Sequence, residues 1–228
     1  MSPHEREVAV YVHGLWLNGG ESLLLRRRLE RGFGLTVHAF HYPSVSCCVA
    51  DIVERLQAFV AGIRARRMHF IGHSLGGIVV HRFLERFPDQ PPGRVVFLGT
   101  PCVRCRAAQS ASRFPLISRM IGRAVAEELL CDRERRWDLD RELGIIAGTQ
   151  PLGLGRFFAH FEEPSDGTVA VSETRLPGAT DHITLPVSHM GMLLAPRVAH
   201  ETGYFLEHGY FSLHGGRVRP QEPRRAVS

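Results

Sequence analysis

Apolar runs rich in β-branched and aromatic residues recur near Val8–Val12, Leu35–Phe40, Met68–Ile71, Val95–Leu98, Ile145–Ala147 and His182–Val187, and amphipathic stretches separate several of them. That alternation predicts an α/β fold: a mostly parallel sheet of about six strands flanked by helices on both faces. The clearest helical pattern runs through Val49, Ile52, Val53, Leu56, Phe59, Val60 and Ile63, whose three-and-four spacing makes one apolar face for packing on the sheet. Further helices are expected over roughly Glu21 to Arg31, from Ile78 through Val79, Phe83, Leu84 and Phe87, and from about Pro196 to His208. Between Thr100 and Arg141 the alternation lapses, while Ile117, Met120, Ile121, Val125, Leu129 and Leu130 keep helical spacing amid arginines. Residues 101–142 therefore read either as a helical cap over the carboxyl ends of the strands or as an ordinary surface helix. From Gly215 onward apolar residues become scarce, so 215–228 is expected to be a disordered tail behind a single domain of residues 1–214.

Composition narrows the function classes. With 228 residues, 44% hydrophobic and 22% charged, the chain suits one globular domain, and no apolar run approaches the length of a membrane-spanning helix. The N-terminus, Met1 to Glu7, passes directly into the first strand, leaving no room for a leader and pointing to a cytoplasmic location. Five cysteines without a framework spacing agree with a reducing compartment. All 28 basic residues are arginines and the net charge is +5, which raises nonspecific attraction to nucleic acid or anionic lipid. The arginine clusters at Arg26–Arg28, Arg64–Arg67 and Arg133–Arg136 are instead interleaved with acids or helix-patterned apolar residues, as on solvated helix faces, and no RNA-binding module is present. Peripheral membrane contact stays open; no specific nucleic-acid partner and no obligate protein partner are expected.

Chemistry concentrates in Phe70-Ile71-Gly72-His73-Ser74-Leu75-Gly76-Gly77, a G-x-S-x-G sequence between a strand-like and a helix-like run. It reads as a nucleophile elbow, in which Ser74 sits on a sharp strand-to-helix turn and the glycines let the two elements approach. A serine hydroxyl is a poor nucleophile at neutral pH and needs a histidine base held by a carboxylate. Thirteen histidines make an arbitrary pairing uninformative, so position decides. In the order typical of elbow-bearing sheets the acid follows the penultimate strand and the histidine the last one, which Asp166 and His189 satisfy.

The chain resembles a compact α/β-hydrolase of the bacterial lipase and esterase type. The resemblance rests on the His13-Gly14 turn after the first strand, the elbow, and Asp166-Gly167-Thr168-Val169 followed by Asp181-His182 through His189-Met190-Gly191-Met192, and it spans about Val8 to Leu206. It lacks the two extra leading strands of larger members, as minimal lipases do. The resemblance implies Ser74 as nucleophile, His189 as general base and then acid, and Asp166 as the group orienting His189. It also implies an oxyanion hole from the backbone N–H groups of Leu75 and Leu15, with Trp16 and Leu17 beside the substrate pocket. No cofactor or metal is implied.

Competing residues are given lesser roles. Asp138 and Asp140 precede the strand at Ile145, Asp181 abuts the last strand and His182 begins it, while His13, His73 and His81 read as turn, packing or structural residues. Cys102 and Cys105 form a C-x-x-C pair, which without two more ligands reads as packing or surface thiols rather than a metal site. The expected activity is hydrolysis of a small ester, tilted toward acyl-chain or lipid-like substrates, by an acyl-enzyme route whose rate falls as His189 gains a proton on acidification. A thioesterase or acyltransferase with the same triad, or a noncatalytic binding member of the fold, are the alternatives.

Overall fold

The computed structural model describes residues 7–102, 135–152 and 163–214. Its strands are β1 (Glu7–Val12), β2 (Thr36–Phe40), β3 (Arg67–His73), β4 (Val95–Leu98), β5 (Leu143–Gly148) and β6 (Asp181–Leu185). They form one sheet in the order β2-β1-β3-β4-β5-β6, and every pairing is parallel. The helices are α1 (Leu23–Phe33), α2 (Val49–Ala61), α3 (Leu75–Arg86) and α4 (Pro196–His208).

Buried strands expose alternate residues to opposite faces, and the core divides accordingly. Val10, Val12, Phe70, Phe97 and Ile145 join α2 and α3 in one apolar cluster. Ala9, Tyr11, Ile71, Val96 and Ile146 join α1 and α4 in the other. The sheet with helices on both faces is thus as the sequence predicts. The first helix departs from expectation: a single turn at Gly20–Ser22 precedes it, entered through Gly19 at φ 88°, so α1 begins at Leu23 and runs on to Phe33.

Strand order reverses at β1, which lies between β2 and β3. Where one crossover turns each way, the carboxyl ends of β1 and β3 are left open as a crevice, the usual ligand position in an open parallel sheet. The loop after β1 carries His13-Gly14-Leu15, and the turn after β3 carries Ser74.

Most of the proposed cap, residues 103–134, lies outside the described residues, as does the 215–228 tail. The chain returning from that segment is not helical at 135–137, where Arg135 and Trp137 are buried and Arg136 between them is exposed. Trp137 packs in the α2–α3 cluster and donates its indole N–H to the Arg141 carbonyl at 2.7 Å. The Arg141 guanidinium in turn donates to the carbonyls of Met68, Gln90, Pro91 and Gly93, tying this chain to the amino end of β3.

The entry of α3 leaves no space for side chains. A Cβ on Gly76 would stand 2.0 Å from the Val12 carbonyl oxygen, and one on Gly72 would stand 2.4 Å from Cα of Gly77. Both obstacles are backbone, which cannot rotate aside. Gly76→Ala should therefore lower the unfolding free energy by about 3 kcal/mol or more, read as a reduced denaturant midpoint; an unchanged midpoint would show that the helix can back away from β1 freely.

Candidate active site

The elbow puts Ser74 between β3 and α3 with φ 53° and ψ −124°, a positive-φ conformation that costs a serine of order 1–3 kcal/mol and persists only where the surroundings impose it. They do so here: the Ser74 N–H donates to the Leu98 carbonyl at 2.9 Å, and its carbonyl accepts from Gly77 at 3.1 Å. Leu75 opens α3, and the first N–H groups of a helix lack intrahelical acceptors. N–H groups at such a helix start are able to hold an anion.

Asp166 and His189 arise from separate loops and meet directly. Nδ1 of His189 lies 2.7 Å from Oδ2 of Asp166. A carboxylate only accepts, so Nδ1 carries the proton and Nε2 is left with its lone pair, the form a general base needs. The other carboxylate oxygen accepts the N–H groups of Thr168 and Val169, each at 2.8 Å, across a turn that Gly167 makes possible at φ 92°. The main chain repeats the connection, with the His189 N–H donating to the Asp166 carbonyl at 3.0 Å.

Gly99 joins this pair to the elbow. It follows Leu98, whose carbonyl holds Ser74, and a Cβ on it would lie 2.9 Å from Asp166 Oδ2 and 3.1 Å from His189 Nδ1. The His73 ring, next to Ser74 in the chain, sits 4.8 Å from the His189 ring. Ser74, Asp166 and His189 thus all lie at the carboxyl edge of the sheet.

The loop after β1 is braced by residues to which the sequence assigns no role. Tyr42 donates its hydroxyl to the His13 carbonyl at 2.6 Å and its N–H to His13 Nε2 at 3.3 Å, and the two rings stack at 4.1 Å. His13 Nδ1 donates to the Gly14 carbonyl at 2.8 Å, so the ring is neutral with its proton on Nδ1, and burial holds its pKa below the ordinary histidine value. Trp16, at φ 61°, donates its N–H to Ser44 Oγ at 3.0 Å. Leu15 is half-buried against the α2–α3 cluster, Leu17 is half-buried and Trp16 is exposed. Tyr42 and Ser44 belong to a Tyr-Pro-Ser stretch with no motif of its own, and only its position after neighbouring β2 could have drawn attention to it.

The rival residues are elsewhere or otherwise engaged. Asp181 opens β6, at the edge opposite His189, and accepts from the Phe211 N–H at 2.9 Å while pairing with His214 at 2.8 Å. Asp138 is exposed and pairs with Arg136, Asp140 is exposed ahead of β5, and His182 shares a hydrogen bond with Thr174. His81 lies buried on α3 against Trp137. Burial pushes the Cys102 thiol up to about 12, leaving it protonated and inert, while Cys105 lies outside the described residues. Among the described residues no cluster of three or more His, Cys, Asp or Glu could hold a metal, and no helix is long and apolar enough to cross a membrane.

A family model described as the alpha/beta hydrolase family matches residues 9–209. None of the curated proteins matches the sequence. Among solved structures, the mature lipase BlEst2 of Bacillus licheniformis superposes with a TM-score of 0.68 at 19% identity, covering 90% of this chain and 92% of the lipase. Phospholipase PlaB of Legionella pneumophila gives a TM-score of 0.62 at 16% identity over 82% of this chain and 53% of its own. The RedJ thioesterase of Streptomyces coelicolor gives 0.61 at 13% identity over 89% and 87%. At these identities the likeness concerns the fold.

Two buried histidines set an acid limit on stability. Burial pushes His69 and His73 down to about 3, and His69 is held neutral with its Nδ1 accepting the Arg94 N–H at 3.0 Å. An unfolded histidine titrates near 6.5, so between that value and about 3 the unfolded chain binds protons that the native chain does not. Stability is full above that window and falls with pH inside it, by about 1.4 kcal/mol per pH unit for each group. The urea midpoint should drop between pH 7 and pH 5 by the equivalent of about 2–4 kcal/mol; equal midpoints would mean that the two rings are accessible to protons in the native state.

Proposed function

The chain belongs to the alpha/beta hydrolase family, and on that premise we propose that it is a serine hydrolase cleaving carboxylic esters through an acyl-enzyme intermediate. The observation that carries this reading is the 2.7 Å contact between His189 Nδ1 and Asp166 Oδ2 beside an elbow that holds Ser74 at φ 53°. In this mechanism Nε2 of His189 takes the Ser74 proton as Oγ attacks the acyl carbon. The resulting oxyanion accepts the N–H groups of Leu75 and Leu15, and loss of one such donor typically costs about a hundred- to thousandfold in turnover. His189 then passes the proton to the departing alcohol, and the same imidazole activates the water that releases the acid. Asp166 holds His189 in the required tautomer and offsets the charge that the ring acquires.

Substrate preference follows from the apolar surface of this edge. Trp16, Leu152, Met190 and Leu194 are large apolar residues exposed on loops that follow the carboxyl ends of strands. Such exposure favours acyl-chain or lipid-like esters, with Trp16 and Leu17 bordering the pocket. The fold likeness to a lipase and a phospholipase supports the same direction. The comparable likeness to a thioesterase favours one second reading, a thioester substrate for the same triad.

Wild-type protein should hydrolyse p-nitrophenyl butyrate and gain the mass of a fluorophosphonate probe on Ser74, whereas Ser74→Ala should lose turnover by about a thousandfold or more while unfolding at the wild-type midpoint. Protein that neither turns over esters and thioesters nor takes the probe would favour the noncatalytic binding alternative. Tyr42→Phe should lower kcat about three- to tenfold with KM little changed, because it frees the His13 carbonyl and loosens the loop that presents Leu15. Unaltered kcat would detach that loop from the oxyanion hole.

A further inference from the structure

His73 ends β3 immediately before Ser74, and its imidazole is wholly buried. Its Nε2 lies 3.1 Å from the main-chain carbonyl oxygen of His189. A carbonyl only accepts, so the proton resides on Nε2. Nδ1 has no hydrogen-bond partner among the described residues, and a Cβ on Gly14 would stand 3.4 Å from it. Burying an unpartnered ring nitrogen costs about 1–3 kcal/mol, a cost that an apolar side chain of similar size would avoid. Packing alone therefore gives no reason for an imidazole here; its N–H does.

That N–H completes the anchoring of the residue proposed as base. The His189 main-chain N–H is tied to Asp166 at 3.0 Å, and its carbonyl is tied by His73 to the strand that carries the nucleophile. The acid, the base and the elbow, from three separate segments, are thereby joined through the main chain of one residue.

Resting on the serine-hydrolase reading above, we propose that His73 is a positioning residue whose Nε2–H fixes the His189 main chain, so that the His189 imidazole keeps its lone pair directed at the Ser74 hydroxyl. The ring also has to stay uncharged. When His189 takes the serine proton it becomes a cation, and a second cation 4.8 Å away would oppose that step. Burial first, then the neighbouring His189, holds His73 neutral, with Asp166 and His13 the other titratable groups bearing on it.

The test compares His73→Leu, which fills the space without a donor, with His73→Gln, whose amide N–H reaches toward the same carbonyl, in the full chain acting on p-nitrophenyl butyrate. His73→Leu should lower kcat about ten- to a hundredfold with KM within about twofold, and the fluorophosphonate labelling rate should fall in step. His73→Gln should recover to within about threefold of wild type. In the wild type the acid limb of kcat should follow a single proton. A His73→Leu protein as fast as wild type, a His73→Gln protein as slow as His73→Leu, or an acid limb that follows two protons would each overturn the positioning role. If His73→Leu precipitates, His73→Asn, whose amide falls short of the carbonyl, takes its place with the same expected loss. Wild-type protein that neither hydrolyses the ester nor takes the label would overturn the hydrolase reading and this role with it, whereas an active wild type beside an indifferent His73→Leu overturns this role alone.

Discussion

The amino end of α3 lies so close to the carboxyl end of β1 that the Val12 carbonyl oxygen occupies the space a side chain at position 76 would need. That approach of backbone to backbone dictates the rest of the site. To reach α3 from β3 within one residue the chain reverses at Ser74, and it does so through a strained positive-φ conformation. The same reversal pushes the serine out of the strand and brings the free N–H groups of the helix start beside the loop after β1. The exposed serine and the free N–H groups beside it, to which the proposal above gives the roles of nucleophile and oxyanion donors, are consequences of one packing constraint rather than separate arrangements.

Around this turn the structure places imidazoles in different electrostatic states. His13 and His73 are buried and neutral, each with its proton assigned by a backbone carbonyl acceptor. His189 alone faces a carboxylate, whose remaining oxygen is occupied by two N–H groups of its own loop. The buried neighbours supply shape and hydrogen bonds without adding charge, which suits the proposed role of His189 as a base that becomes a cation.

Much of this was legible along the chain. The G-x-S-x-G stretch has few structural solutions between a strand and a helix, and the period of the apolar residues located all six strands to within a few residues. Asp166 and Asp181 could be separated by reasoning about strand direction, and the structure places them at opposite edges of the sheet. Other features had no local signal. Tyr42 and Ser44 follow β2, and only the pairing of β2 with β1 lays them against the His13 loop. Gly99 looks like any glycine after a strand, until the Asp166–His189 pair is found in the space its missing side chain leaves.

What the chain determined by itself was the local geometry and the class of chemistry. Steric limits on a residue flanked by glycines, and the period of buried positions, act over a few neighbours and are written in consecutive residues. The tertiary structure alone decided which protons sit where. A tautomer depends on whether a carbonyl, an amide or a carboxylate lies about 3 Å from a given ring nitrogen, and for His13, His73 and His189 those partners include residues 29, 116 and 23 positions away. No pattern of neighbouring residues encodes contacts at such separations, because they arise only when the parallel strands set their loops side by side.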